Sequence, residues 1–192
     1  MGRSKEFEEN EVLQRAMELF WMQGYEKTSM NDLVKHMGIH RKSLYDTFGD
    51  KHSLYLKVID RYAKYSTDKL NAEKLKSKTA YQTIQYIFDY IIEGNKDKHW
   101  GCLFVNAATE MGPWDKEVEE KTSESFKKVE DFIARIVREG QEAGEFSSNY
   151  DAEILGEILH NTLLGLRVLV RTSASKEKMH RIENFFLNLL SD

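Results

Sequence analysis

Proline occurs once in this chain, at Pro113, and cysteine once, at Cys102. Proline breaks helices by its missing N–H and fixed φ, so its scarcity leaves long stretches free to run as helix. Alternation of apolar and polar residues never persists beyond a few positions, which leaves strands no pattern to form on. Together these absences predict an all-α fold. A lone cysteine excludes an intramolecular disulfide framework and fits a reducing compartment. Long hydrophobic runs are missing as well. The longest, LLGLRVLV (163–170), carries Arg167 and is far shorter than the roughly 20 apolar residues a membrane-spanning helix needs. MGRSKEFEEN at the N-terminus has no apolar stretch for a signal peptide, and Glu6 stands where a myristoylation signal needs Ser or Thr. We therefore expect a soluble, cytoplasmic protein without a membrane partner.

An excess of positive charge is also absent. The 28 basic residues are outnumbered by 32 acidic ones, for a net charge of −4, so any affinity for nucleic acid must be local. The signatures of chemistry are missing too: there is no HExxH, no P-loop, no GxGxxG and no GxSxG elbow. His36 and His40 are four apart, but Gly38 ends the helix between them, so they share no metal-binding face. Glu119-Glu120 sit in a charged run that reads as a solvated helical face. No cofactor, metal or catalytic group is expected.

What is present is helical periodicity. With 192 residues, 41% hydrophobic and 31% charged, the chain can bury a substantial core. Val12, Leu13, Ala16, Leu19 and Phe20 share one helical face, closed by Gly24. Ser29 and Asp32 approximate a capping box before Met30, Leu33, Val34 and Met37, and Gly38 ends that helix. Ile39 is expected as a buried hinge, and His40 opens a third helix holding Leu44, Tyr45 and Phe48. Gly49-Asp50 breaks it, and Lys51 starts a longer helix to about residue 69. Two short helices joined at a glycine turn form a helix-turn-helix pattern. Further helices are predicted at about 78–93, 101–111, 114–142, 151–171 and 176–190, with EGNKDKHWG (93–101) as the clearest loop. The expected organisation is a helix-turn-helix domain over 1–55 and a helical ligand-binding and dimerisation domain over 56–192.

Local charge then acquires a meaning. Over residues 35–51, Lys35, Arg41, Lys42 and Lys51 face Asp46 and Asp50; four bases against two acids leave +2 within an acidic protein. In a helix-turn-helix the N-terminal residues of the second helix reach base edges in the major groove. Here those residues are His40, Arg41, Lys42 and Ser43. Arg pairs with guanine, and Lys reaches guanine or phosphate. Tyr45 and Lys51 suit phosphate contacts, Lys51 at a helix start whose N–H groups favour an anion. A solvated hairpin whose charges do nothing is the competing reading.

The stretch AMELFWMQGYEKTSMNDLVKHMGIHRKSLYDTFGDKHSLYLKVI (16–59) strongly resembles the DNA-binding head of the TetR family of bacterial regulators. The matching features are Phe20, Gly24-Tyr25, Thr28-Ser29, and the Gly38, Leu44-Tyr45, Phe48, Lys51 and Leu54 series. His40 and Asp46-Thr47 depart from the common pattern at groove-facing positions. The resemblance implies an all-helical homodimer with an N-terminal three-helix head on palindromic double-stranded operator DNA. Its DNA-facing set would include Thr28 and Ser29. It also implies a larger helical body for ligand and dimerisation in what is most often a repressor, and a pocket between helices suits a small, largely apolar effector that releases it. GCLFVNAATEMG (101–112) and GLRVLVRT (165–172) resemble body segments of one branch of the family.

Candidate pocket residues are Tyr62, Tyr65, Phe88, Trp100, Phe104, Trp114 and Phe126, with the polar groups His99, Asn106, Glu110, His160, Asn161 and Arg167. For each aromatic, plain core packing competes with ligand contact. The helix at 151–171 is apolar nearly all round toward its end, so both sides need cover. With the last helix it would build a two-fold four-helix interface from Leu159, Leu163, Leu166, Phe185, Phe186 and Leu189. Cys102, near a helix start, supports an alternative reading as a redox-responsive regulator or helical enzyme, against its reading as a small buried residue. A helical scaffold with an inert head is the third possibility.

Overall fold

A computed structural model describes residues 2–94 and 100–191, with side chains from residue 9 onward. His99 and most of the 93–101 loop lie outside the described residues. Among the described residues every regular element is an α-helix, as the scarcity of proline and of alternation predicts. The helices are α1 (Gly2–Gln23), α2 (Met30–Met37), α3 (Arg41–Phe48), α4 (Lys51–Lys76), α5 (Ala80–Glu93), α6 (Leu103–Glu110), α7 (Lys116–Glu142), α8 (Ala152–Leu169) and α9 (Lys176–Ser191). Starts and stops fall within a few residues of those expected, except that α4 runs about two turns further. No described helix is long and apolar enough to cross a membrane.

The chain divides into two compact units. The first holds Met1–Ser66 and Cys102–Thr122; the second holds Thr67–Gly101 and Ser123–Asp192. The expected boundary at 55/56 thus falls inside α4, and α6 with the start of α7 joins the unit that contains the head.

In the first unit, Ala16, Met17, Leu19 and Phe20 of α1 are buried with Leu33 and Met37 of α2, Leu44 and Phe48 of α3, and Leu54, Tyr55, Val58, Ile59 and Tyr62 of α4. The turns between them are fixed by caps. Ser29 caps α2: Asp32 N–H donates to Ser29 Oγ at 3.1 Å and Ser29 N–H donates to Asp32 at 3.0 Å, completing the expected box. Gly38 stops α2 at φ +72°, a conformation that costs glycine little. Arg15 donates to the Met37 carbonyl at 3.1 Å and satisfies the same helix end. Ile39 is half-buried.

The α1–α2 turn has an unexpected partner. Glu110, from the end of α6, accepts the backbone N–H groups of Tyr25 and Glu26, each at 2.9 Å. A Cβ at Gly24 would lie 2.8 Å from a Glu110 oxygen, so only glycine lets the carboxylate approach.

The second unit packs α5, the rest of α7, α8 and α9 around Ile84, Ile87, Phe88, Ile91, Phe132, Ile133, Val137, Leu155, Leu159, Leu163 and Leu166. Gly156 lets α8 approach α7 closely, since a Cβ there would lie 2.9 Å from the Ala134 Cβ.

Candidate nucleic-acid interface

Leu44 and Phe48 of α3 are buried and Thr47 is half-buried, which leaves its other side chains to solvent. His40 takes the N-cap position in extended geometry but gives no side-chain cap bond. Arg41, Lys42 and Ser43 follow in the first turn, all exposed. His40, Lys42 and Ser43 form no side-chain hydrogen bond or ion pair among the described residues. Their donors are available to a partner.

Arg41 is pre-positioned instead. Its Nη1 donates to Asn31 Oδ1 at 3.3 Å, and its guanidinium lies 5.8 Å from the centre of the Tyr45 ring. Tyr45 itself is 43% exposed. Lys51 opens α4 with its ammonium 4.1 Å over the Tyr25 ring, which in turn packs on Tyr55 at 4.8 Å. Burial, with the charge of Glu26 next, raises the Tyr25 pKa, so its hydroxyl remains a donor. Lys57 donates to the Thr47 carbonyl at 3.3 Å and closes the far end of α3.

Asn31, Tyr25 and Lys57 are not among the DNA-facing residues expected from the sequence. Tyr25 carried a signal as the aromatic after the closing glycine. Asn31 and Lys57 carried none, because each acts on a residue ten positions away.

One member of the expected DNA-facing set is displaced. Thr28 is fully buried and donates its hydroxyl to the Gly24 carbonyl at 2.6 Å, so it stabilises the turn instead of meeting DNA. Ser29 stays exposed, although its side chain is engaged in the cap.

The body candidates fall into separate groups. In the first unit the Tyr62 ring lies 4.9 Å from Phe104, 6.2 Å from Tyr65 and 4.8 Å from Trp21. Tyr62 donates its hydroxyl to Cys102 Sγ at 3.7 Å. Cys102 is buried there, as a small apolar residue would be, which does not favour the redox or enzyme reading. Asn106 is half-buried on α6, and Glu110 serves the α1–α2 turn as described. Trp114 is 86% exposed, so it faces water and lines no pocket.

In the second unit Phe88 belongs to the apolar core, buried among Ile84, Ile87 and Ile91. Phe126 lies 5.5 Å from the buried imidazole of His160, whose Nδ1 is 3.2 Å from Glu130. Trp100 and Arg167 are half-buried, and Asn161 points outward from α8.

The expected dimer set also splits. Leu159, Leu163 and Leu166 are buried within their own chain's core and cannot form a partner surface. A nearly all-apolar helix offered no way to tell its two sides apart. On α9, Phe185 is exposed while Phe186 and Leu189 are half-buried.

An exposed basic helix end on a buried helix-turn-helix defines the head as a DNA-binding module. Comparison with known proteins sharpens that class. Residues 12–58 match the bacterial regulatory proteins of the tetR family, and residues 80–186 match the tetracyclin repressor-like C-terminal domain. The chain belongs to the TetR family of DNA-binding transcriptional regulators, which are not enzymes. An uncharacterized HTH-type transcriptional regulator of Bacillus subtilis (strain 168), YezE, is 30% identical, covering 99% of this chain and 100% of its own. The HTH-type transcriptional repressor ComR of Escherichia coli (strain K12) is 30% identical over 98% of this chain and 91% of its own. In fold, the chain resembles a cysteine mutant of the TetR family regulator CifR complexed with 26 bp double-strand operator DNA. That likeness has a TM-score of 0.83 over 94% of this chain and 95% of that one, at 23% identity.

Proposed function

We propose that this regulator is a homodimeric repressor that binds a palindromic operator and is released by a small, largely apolar effector. The observation that carries the DNA-reading part is the unpaired set His40, Lys42 and Ser43 beside a pre-positioned Arg41 at one helix end. Arg41 and Lys42 read base edges, while Tyr45 and Lys51 hold phosphates and set register. Ser29 contributes at the neighbouring helix start. Acting on DNA places the protein in the cytoplasm.

Support for the dimer comes from α8 and α9. Ile154, Ile158 and Val168 are 54%, 44% and 50% exposed, and Phe185 is 62% exposed. Apolar groups of this size on two neighbouring helices suit a second copy. The outward Asn161 belongs with this stripe. Two heads then meet successive major-groove faces about one helical turn apart.

Candidate effector contacts are Tyr62, Tyr65, Phe104 and Asn106 in one unit, and Trp100, Phe126 and Arg167 in the other. An effector lowers DNA affinity only if it prefers a different head spacing. α4 is the lever, being one unbroken helix from Lys51 at the DNA end to Lys76.

Selection of bound DNA from a random pool tests the reading. A palindromic consensus is expected, and recovery of sequences with no common half-site contradicts it. Once an effector is found, operator DNA should weaken its binding by the factor it weakens DNA binding.

A further inference from the structure

Away from the DNA-reading face, α5 and α9 bring a second set of chemically distinctive side chains together. One ligating atom from each of Asp89, His180 and Glu183 lies within 4.8 Å of the other two. Asp89 comes from α5. His180 and Glu183 are three apart on α9, a spacing that puts both on one face. Glu183 is buried, and the other two are half-buried.

The imidazole is held from both sides. Its Nδ1 is 2.6 Å from Glu183 Oε2, and its Nε2 is 3.1 Å from Glu93 Oε1. Lys176 donates to the other Glu93 oxygen at 2.6 Å. Asp89 has no hydrogen bond or ion pair among the described residues. Glu93 is thus neutralised by Lys176, while the buried Glu183 is paired with His180 and Asp89 stands beside both. Two carboxylates so close, one of them out of water, favour a cation between them.

The donor types narrow that cation. An imidazole nitrogen with two carboxylate oxygens suits first-row divalent ions better than Mg²⁺ or Ca²⁺, which take oxygen alone. Histidine and carboxylate three apart on a helix, completed by an acid from a facing helix, is how helical bundles build such sites. A carboxylate behind the remote ring nitrogen is the usual outer partner of a ligating histidine, and Glu93 occupies that position.

We propose that Asp89, His180 and Glu183 form a binding site for a first-row divalent metal ion such as Zn²⁺, with Glu93 orienting His180. Three protein ligands leave a fourth position to water. The ion would join α5 to α9, and the proposal depends on neither the DNA-binding nor the dimer reading.

The test is calorimetric titration of Zn²⁺ into the full chain after chelator treatment and dialysis, with no DNA present. One ion per chain is expected. Glu93→Gln should weaken binding about tenfold to a hundredfold, and Asp89→Asn and His180→Gln should each weaken it more. Zn²⁺ should raise the unfolding temperature of wild type more than that of either ligand variant. Asp89→Asn is isosteric at a half-buried, unpaired position, so it decides the matter even if His180→Gln folds poorly. Absence of binding with excess Zn²⁺, or equal affinity in wild type and Asp89→Asn, overturns the site. Mg²⁺ binding as tightly as Zn²⁺ overturns His180 as a ligand.

Discussion

α3 and α8 expose opposite chemistries. α3 has eight residues, of which two are buried; its first turn presents His40, Arg41, Lys42 and Ser43 to solvent. α8 has eighteen residues with seven buried, and the outward side still carries Ile154, Ile158 and Val168. On α3 the polar groups are outside and mostly unpaired. On α8 the polar His160 is inside and paired with Glu130, while apolar groups face water. Unpaired exposed donors cost nothing in water and favour a polyanion. Exposed apolar side chains favour burial against another protein surface. The two helices are fitted to different partners, and the residues a helix does not need for its own core show which.

The strongest way to break this comparison is to charge the inward side of α8 and then the exposed apolar face continued on α9. Leu159→Asp places a carboxylate in the core and should cost on the order of 4 kcal/mol or more, or prevent folding. Phe185→Asp on α9 should leave folding intact and yield monomer. Urea denaturation with sedimentation separates the two outcomes, and a stable, dimeric Leu159→Asp would show that the inward assignment is wrong.

Next in size is the reading edge. Arg41→Ala should lose about 1–3 kcal/mol of operator binding and relax specificity at one base pair. Lys51→Ala should weaken all sequences alike and reduce the salt slope. Gel-shift titrations at several salt concentrations distinguish these effects, and unchanged affinity in both variants would leave α3 without its role.

Glu110→Gln sharpens the role of α6 in the head. It keeps the shape but removes a charge that accepts two backbone N–H groups, so about 1–2 kcal/mol of stability should go. Ser29→Ala should cost about 1 kcal/mol through loss of the α2 cap. Chemical denaturation measures both, and wild-type stability in Glu110→Gln would demote the clamp to a passive contact.

The smallest effect concerns pH. Burial lowers the His160 pKa, and Arg167 adds to that while Glu130 opposes it. The unfolded chain therefore takes up this proton at a higher pH than the folded one. The stabilisation is fully present above the ordinary histidine pKa and is lost as pH falls through the lower folded value. The difference in denaturation midpoint between wild type and His160→Gln should shrink across that window. A gap that widened on acidification would reverse the sign.

Much of this molecule was legible in its residues because the determinants are local. Ser29 with Asp32, Gly38, and Gly49 with Asp50 mark helix ends within three or four positions, so the boundaries of α2 and α3 followed directly. The spacing of Leu44 and Phe48 likewise left Arg41 and Lys42 outside. Thr28, expected to face DNA from the family resemblance alone, is buried, since a threonine before a cap can turn either way. The body candidates were harder, because an aromatic that packs and an aromatic that waits for a ligand look the same in one dimension.

By itself, then, the sequence determined the all-helical fold, the placement of nearly every helix, and the basic end of α3, all of which depend on neighbours within one or two turns. Only the tertiary structure decided that Glu110 holds the Tyr25 turn from 85 residues away, that His52 lies 2.6 Å from Asp115, and that Leu159 faces in while Ile158 faces out. Those contacts arise where helices distant in the chain pack together. Periodicity gives each helix its faces but does not say which face meets which partner.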